Sequence, residues 1–189
     1  MARNMEQGRA RRRNRWSWAI WGTAACLLLL PAIAMRFPGS GVDWDARDFI
    51  IMGVMFAIAC GTYEVATRLS DSVAYRAAAG IAIVTGFLTI WVNLAVGMLG
   101  SERNPANLLF AGVLAIGVIG TLVARCRPQG MVRAMYATAL AQGAMALYAL
   151  FGGYAEVTLH IGMFVIPWLL SAQLFKKAAR EQAATGSAN

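Results

Sequence analysis

The sequence predicts an all-α fold, a polytopic membrane bundle of six transmembrane helices, and three observations carry that expectation. Hydrophobic residues make up 59% of the 189 positions and charged residues 14%, against about 45–50% and about 25% in soluble domains. Apolar runs of roughly 17–23 residues recur six times, the length an α-helix needs to cross a hydrocarbon core about 30 Å thick. Lys and Arg collect on alternate connections between those runs, as they do across a membrane. Only helices and closed barrels satisfy every backbone group in lipid. The runs lack the period-two alternation of barrel strands, so helices are expected.

The elements follow in order. Residues 1–15 are a basic head with Arg3, Arg9, Arg11, Arg12, Arg13 and Arg15 against Glu6. The spans are expected at about 16–35, 49–67, 77–99, 108–124, 134–152 and 157–175, followed by a basic tail at 176–189. All are free of charge except the second, which holds Glu64. Fourteen of the 17 Lys and Arg fall on the head, the second and fourth connections and the tail; Arg36, Arg47 and Arg103 fall on the other side. Short loops rich in Lys and Arg stay cytoplasmic, so both termini are expected inside. Trp16, Trp18, Trp21, Tyr63 and Tyr75 mark the inner surface, and Trp44, Phe49 and Tyr154 the outer one, as aromatic belts do.

The net charge of +8 is thereby a topology signal, and nucleic acid is not needed to explain it. The head is expected to lie against anionic lipid. A basic head, an apolar stretch and Pro31-Ala32-Ile33-Ala34 also resemble a secretory signal. The stretch exceeds a usual signal core of about 7–15 residues, so a retained first span is expected. Cys26, Cys60 and Cys126 are far apart and form neither a CxxC nor a Cys/His cluster. No disulfide framework or zinc site is suggested, and small packing residues are the simpler reading.

Weak internal similarity pairs spans two and four (Gly53, Val54, Gly61, Thr62 with Gly112, Val113, Gly120, Thr121) and spans three and five (Arg76, Ala77, Ala82, Gly86 with Arg133, Ala134, Ala139, Gly143). Such a repeat would be parallel, a form known in transporters; chance among abundant Ala and Gly also explains it. Helices in lipid associate through small residues and interhelical hydrogen bonds. The small-residue stripes, such as Gly53, Ala57 and Gly61 or Ala78, Ala82 and Gly86, place spans two to five at the centre. Pro167 has no N–H to donate to the Met163 carbonyl and should kink span six.

Four polar residues at membrane depth are candidates for function. Glu64 is the one acid within a span, and intramembrane charge is a functional hypothesis by default; pairing with Arg68 four residues on explains it more simply. His160, the sole histidine, stands four residues after Glu156 and is expected to pair with it. Asn93 and Gln142 are deep amides, either packing glue or a solute site, with Thr85 opposite Gln142 in the repeat. Asn104-Pro105-Ala106 resembles the aquaporin motif. A single copy immediately before a full span fits an N-cap with Pro at the first helical turn instead. No nucleophile–base pair, paired carboxylates at depth or phosphate-binding loop stands out. Neither enzyme chemistry nor a cofactor is therefore expected.

The run Gly100-Ser101-Glu102-Arg103-Asn104-Pro105-Ala106-Asn107-Leu108, with Ala124-Arg125-Cys126-Arg127-Pro128-Gln129-Gly130-Met131 and Ala137-Thr138-Ala139-Leu140-Ala141-Gln142, resembles a group of small uncharacterised bacterial (proteobacterial-type) inner-membrane proteins. Tyr75-Arg76-Ala77-Ala78, Trp91 to Gly97, Asp48-Phe49 and Tyr63-Glu64 extend the resemblance over most of the chain. It implies a multi-span bundle and no activity. The expected role is a non-catalytic integral membrane protein, such as an accessory or assembly component of a membrane complex. The alternative is a small-solute or ion transporter or channel using Asn93, Gln142 and Glu64.

Overall fold

A computed structural model describes residues 2–186, with the side chains of residues 18–185. The basic head's arginines and Trp16 therefore have side chains outside the described residues. The helices are α1 (Ala2–Ala34), α2 (Ala46–Leu69), α3 (Val73–Ala95), α4 (Leu109–Val123), α5 (Pro128–Phe151), α6 (Thr158–Met163) and α7 (Val165–Gly186). One 3-10 turn, Pro105–Leu108, leads into α4, and another, Ala155–Val157, leads into α6. Five helical segments are long and apolar enough to cross a membrane: Ala46–Leu69, Val73–Ala95, Pro105–Val123, Pro128–Phe151 and Ala155–Thr185. The protein is thus an all-α polytopic membrane bundle. Among the described residues, α1 contributes the apolar helical stretch Trp18–Ala34.

The chain divides into two compact units between Glu64 and Val65. In the first, α1 runs without interruption from the basic head into the apolar stretch, with Pro31 inside its last turns. Asp45 starts α2 reciprocally: its Oδ1 accepts from the amides of Arg47 and Asp48 at 2.7 and 3.0 Å, and Asp48 Oδ2 accepts from the Asp45 amide at 3.0 Å. This is a capping box with aspartate in the glutamate's place. Trp44 and Phe49 meet edge to face there, with ring centroids 5.3 Å apart.

The second unit holds α3 to α7, and its core lies in two separate apolar clusters. One, toward the α4–α5 turn, includes Tyr75, Ala78, Met135, Ala139, Trp168 and Phe175. The other, toward the α3–α4 loop, includes Leu99, Phe110, Met145, Ala149 and Ile161. Helix α5 packs on both α4 and α7, and α7 packs on α3, so within this unit the most buried helix is span five. Span six contributes more core than the small-residue stripes suggest: Trp168, Ala172, Phe175 and Ala178 are all buried. The helix continues into the expected tail as far as Gly186, with Ala178 packed against the core.

Close approach is carried by particular glycines. A Cβ on Gly120 would stand 2.7 Å from the Cβ of Ala134, and one on Gly130 would stand 2.6 Å from that of Ala124. Gly61 and Gly143, members of the expected stripes, and Gly112 of the expected repeat have open space instead. The α4–α5 turn places Arg125 and Cys126 in the left-handed region, with φ of 49° and 57°. Tyr75 Oη donates to the Cys126 carbonyl at 2.9 Å and ties that strained turn to α3, and Pro128 then opens α5 at a position where no N–H is needed.

Candidate functional site

Helix α3 ends at Ala95, earlier than the expected residue 99, because Gly97 turns the chain with φ of 74°. Residues 96–104 then fold back as a cap over the α3–α4 end of the unit. Asn104 Oδ1 accepts from the Ala106 amide at 3.0 Å, with Pro105 at the first helical position, as the N-cap reading required. Its Nδ2 donates both to the Leu99 carbonyl at 2.9 Å and to Tyr154 Oη at 2.8 Å. Asn107 completes the lattice, accepting from the Leu99 amide at 2.9 Å and donating to the Ser101 carbonyl at 2.7 Å. Leu99, completely buried, is the apolar plug this lattice holds. The aquaporin-like triplet is thus a structural fastening.

Between the two apolar clusters lies a polar layer. Along α3 it consists of Thr85 and Thr89, and along α5 of Gln142; all three are buried. Thr85 Oγ1 donates to the Ile81 carbonyl at 2.7 Å and Thr89 Oγ1 to the Thr85 carbonyl at 2.9 Å. One turn further, Asn93 Nδ2 donates to the Thr89 carbonyl at 2.9 Å. These bonds return each side chain to its own helix.

Gln142 does something different. Its Nε2 donates across to the Ile161 carbonyl at 3.1 Å, next to the place where span six is interrupted. Helix α6 stops at Met163 and α7 begins at Val165, with Phe164 between them. The Phe164 amide makes only a tightened bond to the Ile161 carbonyl, at 3.3 Å. Pro167 denies the Met163 carbonyl its usual donor, and the discontinuity lies three residues before the proline. The kink expected at Pro167 is a one-residue interruption at Phe164, which itself keeps right-handed helical dihedrals (φ −68°, ψ −15°), and Gln142 fastens the segment before it to α5.

Three buried side-chain atoms lack a protein partner among the described residues: Asn93 Oδ1, Gln142 Oε1 and Trp168 Nε1. Such an atom costs on the order of 1–3 kcal/mol when nothing satisfies it. Asn93 and Gln142 make no hydrogen bond to each other; each donates elsewhere.

The other two candidates are peripheral. Trp21 Nε1 donates to Glu64 Oε2 at 3.4 Å, so the intramembrane acid is partnered within the first unit. His160 and Glu156 are both exposed, and neither bonds to the other: the intervening backbone turns from 3-10 to α at Thr158, and the expected i,i+4 pair does not form. Sequence reasoning missed Ser171, buried on α7, whose Oγ donates to the Ala78 carbonyl at 2.9 Å. It also missed Arg76, which clamps the α2–α3 turn through the carbonyls of Ser70 (2.8 Å) and Thr67 (3.1 Å) and the carboxylate of Asp71 (2.8 Å). The hydroxyl of Ser171 on an otherwise apolar face, and the arginine one residue before the expected start of span three, were the available signals.

Cys26, Cys60 and Cys126 are free thiols. Among the described residues no group of three or more His, Cys, Asp or Glu side chains could hold a metal ion. No protein-family model, no curated protein and no solved structure matches this chain.

Proposed function

We propose that this chain is a non-catalytic integral protein of the bacterial inner membrane, an accessory or assembly component of a membrane complex. The observation that carries the reading is the use of polar groups at membrane depth. Thr85, Thr89 and Thr138 bond back to their own helices, and Ser171 and Gln142 bond to neighbouring helices. Polar side chains that fasten helices in this way act as glue. The segregation of Lys and Arg supports six spans, with α1 as the first, and both termini in the cytoplasm with the basic head on anionic lipid. The motif residues shared with the group of small bacterial inner-membrane proteins, among them Arg76, Asn104, Asn107 and Gln142, are the ones that fasten turns, cap and helices. That suits kinship in architecture without a shared reaction, cofactor or catalytic residue. The paired glycines of the repeat differ in their surroundings: Gly112 has open space where its counterpart Gly53 meets Leu28.

The test is gentle purification from the native membrane, with identification of proteins that remain bound. A stoichiometric membrane-protein partner is expected; a chain that purifies alone, with its parent cells' complexes intact after deletion, would refute the reading.

A second reading rests on the interrupted span. Discontinuous helices at mid-depth are where transporters place substrate, and the unsatisfied Gln142 Oε1 lies beside one. Proteoliposomes holding the full chain would then pass a small solute or ion, and Gln142→Leu would abolish the flux. Identical leak rates with and without protein would eliminate this reading.

A further inference from the structure

Helices α5 and α7 gather cations at one end of the seam between them. They run in opposite directions, since Gln142 reaches Ile161 while Tyr136, earlier on α5, is reached by Gln173, later on α7. Gln173 Nε2 donates to Tyr136 Oη at 2.7 Å. Lys176, Lys177 and Arg180 follow Gln173 at three, four and seven residues, spacings that keep one helix face. Arg133 precedes Tyr136 by three residues and shares its face. All four cations therefore lie past the Tyr136–Gln173 bond in the same direction. At 1.5 Å per residue, Arg133 and Lys177 stand about 5 and 6 Å beyond it, and Arg180 about 10 Å.

All four are exposed, and the acids of the second unit do not serve them. Asp71 pairs with Arg76 at 2.8 Å, and Glu181 Oε2 accepts from Ser72 Oγ at 2.9 Å, both at the α2–α3 turn. Glu102 and Glu156 belong to the connections at the other end. Among the described residues, no carboxylate lies within ion-pair distance of Arg133, Lys176, Lys177 or Arg180.

Depth decides what meets this charge. From Ala134 to Gly152 and from Val157 to Phe175 the chain holds no Lys, Arg, Asp or Glu. The cations are thus the first charges past two segments able to cross the membrane, which puts them at the headgroups. Along the seam the chemistry then changes in the order of a phospholipid. Cations come first, then the phenol and amide of Tyr136 and Gln173, then Leu140 and Leu169, exposed one turn deeper on the same faces. Tyr136 Oη accepts from Gln173, and its own proton has no acceptor among the described residues. That proton is left for a phosphate or ester oxygen. A free phosphate ion would use the cations and leave the leucines without a counterpart.

We propose that this seam binds one anionic phospholipid, its phosphate on Arg133 and Lys177 and its acyl chains along Leu140 and Leu169. Arginine and lysine meet phosphate through charge-assisted hydrogen bonds. Lys176 and Arg180 add the charge that favours a net negative headgroup over a zwitterionic one. The site is separate from the basic head at residues 1–15. It requires the bundle to lie in lipid, and depends neither on the accessory role nor on which leaflet the seam faces.

The experiment is native mass spectrometry of the full chain released from nanodiscs of equal parts palmitoyl-oleoyl phosphatidylglycerol and phosphatidylethanolamine. Wild type is expected to retain phosphatidylglycerol several-fold more often than phosphatidylethanolamine. Arg133→Gln and Lys177→Gln should each lower the fraction of chains carrying phosphatidylglycerol several-fold. Arg103→Gln makes the same charge change at the other end of the bundle and should leave that fraction unchanged. So should joint replacement of Arg11, Arg12 and Arg13 by Gln, which separates the seam from the basic head. Circular dichroism confirms the helical fold of each variant, and either seam variant alone suffices if the other misfolds. A wild type without preference, seam variants that keep the lipid, or equal losses in Arg103→Gln or in the head variant would each overturn the proposal.

Discussion

At the scale of single residues, the positions that matter most are those where a missing atom permits a fold. A Cβ on Gly97 would stand 2.3 Å from the backbone carbon and oxygen of Ser101, at a φ of 74°. Gly97→Ala is expected to cost about 2–4 kcal/mol through left-handed strain and displacement of the α3–α4 cap. Gly112→Ala, whose side chain would enter open space, should stay within about 0.5 kcal/mol of wild type. Thermal unfolding in detergent followed by circular dichroism separates the two, and equal melting points would show that the cap does not bear on stability. Tyr75 is the corresponding case for a polar atom. Tyr75→Phe removes the hydrogen bond to Cys126, costs about 1 kcal/mol, and should speed modification of the Cys126 thiol as the left-handed turn loosens. An unchanged labelling rate would count against that bond's role.

At the scale of the element, span six decides how its neighbours are used. Gln142 donates to the Ile161 carbonyl yet leaves its own oxygen unsatisfied, so the bond gained and the orphan created largely cancel. Gln142→Leu is therefore expected to change stability by less than about 1 kcal/mol, because both halves of the amide leave together. Gln142→Glu keeps the shape but loses the donor and places a charge in the core once the carboxyl ionises, so at strongly alkaline pH it should cost at least about 3 kcal/mol. Equilibrium unfolding of both variants in mixed micelles checks the ordering; a Leu variant as damaged as the Glu variant would mean the fastening is indispensable. Pro167→Ala restores a donor to the Met163 carbonyl. Slower hydrogen exchange across residues 163–168 is the expected result, and unchanged exchange would place the cause of the interruption elsewhere.

At the scale of the molecule, five long apolar helices require lipid or detergent on nearly every outward face. Large hydrophobic residues are exposed along each of them, for example Ile58, Leu88, Ile119, Leu147 and Ile166. The orientation proposed from the charges can be checked directly. With the native cysteines replaced by alanine, Ser101→Cys should react with an impermeant thiol reagent applied to spheroplasts. Thr185→Cys should react only after the membrane is opened. The reverse pattern would invert the topology, and with it the assignment of the basic head to cytoplasmic lipid.

What the sequence by itself determined is the fold class, a membrane bundle with five long apolar helices, and the Asn104–Pro105 helix start. These depend on length, hydropathy and local backbone chemistry, which a chain carries without reference to its neighbours. The tertiary structure alone decided which glycines are pressed, that Asn104 reaches Tyr154 fifty residues away, and that Gln142 meets the one stretch of span six whose helix is interrupted. Glu156 and His160 show the limit from the other side: correct spacing does not make a pair when the helix containing it starts between them. Helical periodicity specifies which residues share a face, while packing in lipid specifies which face finds a partner, and that depends on the shapes of all the helices together.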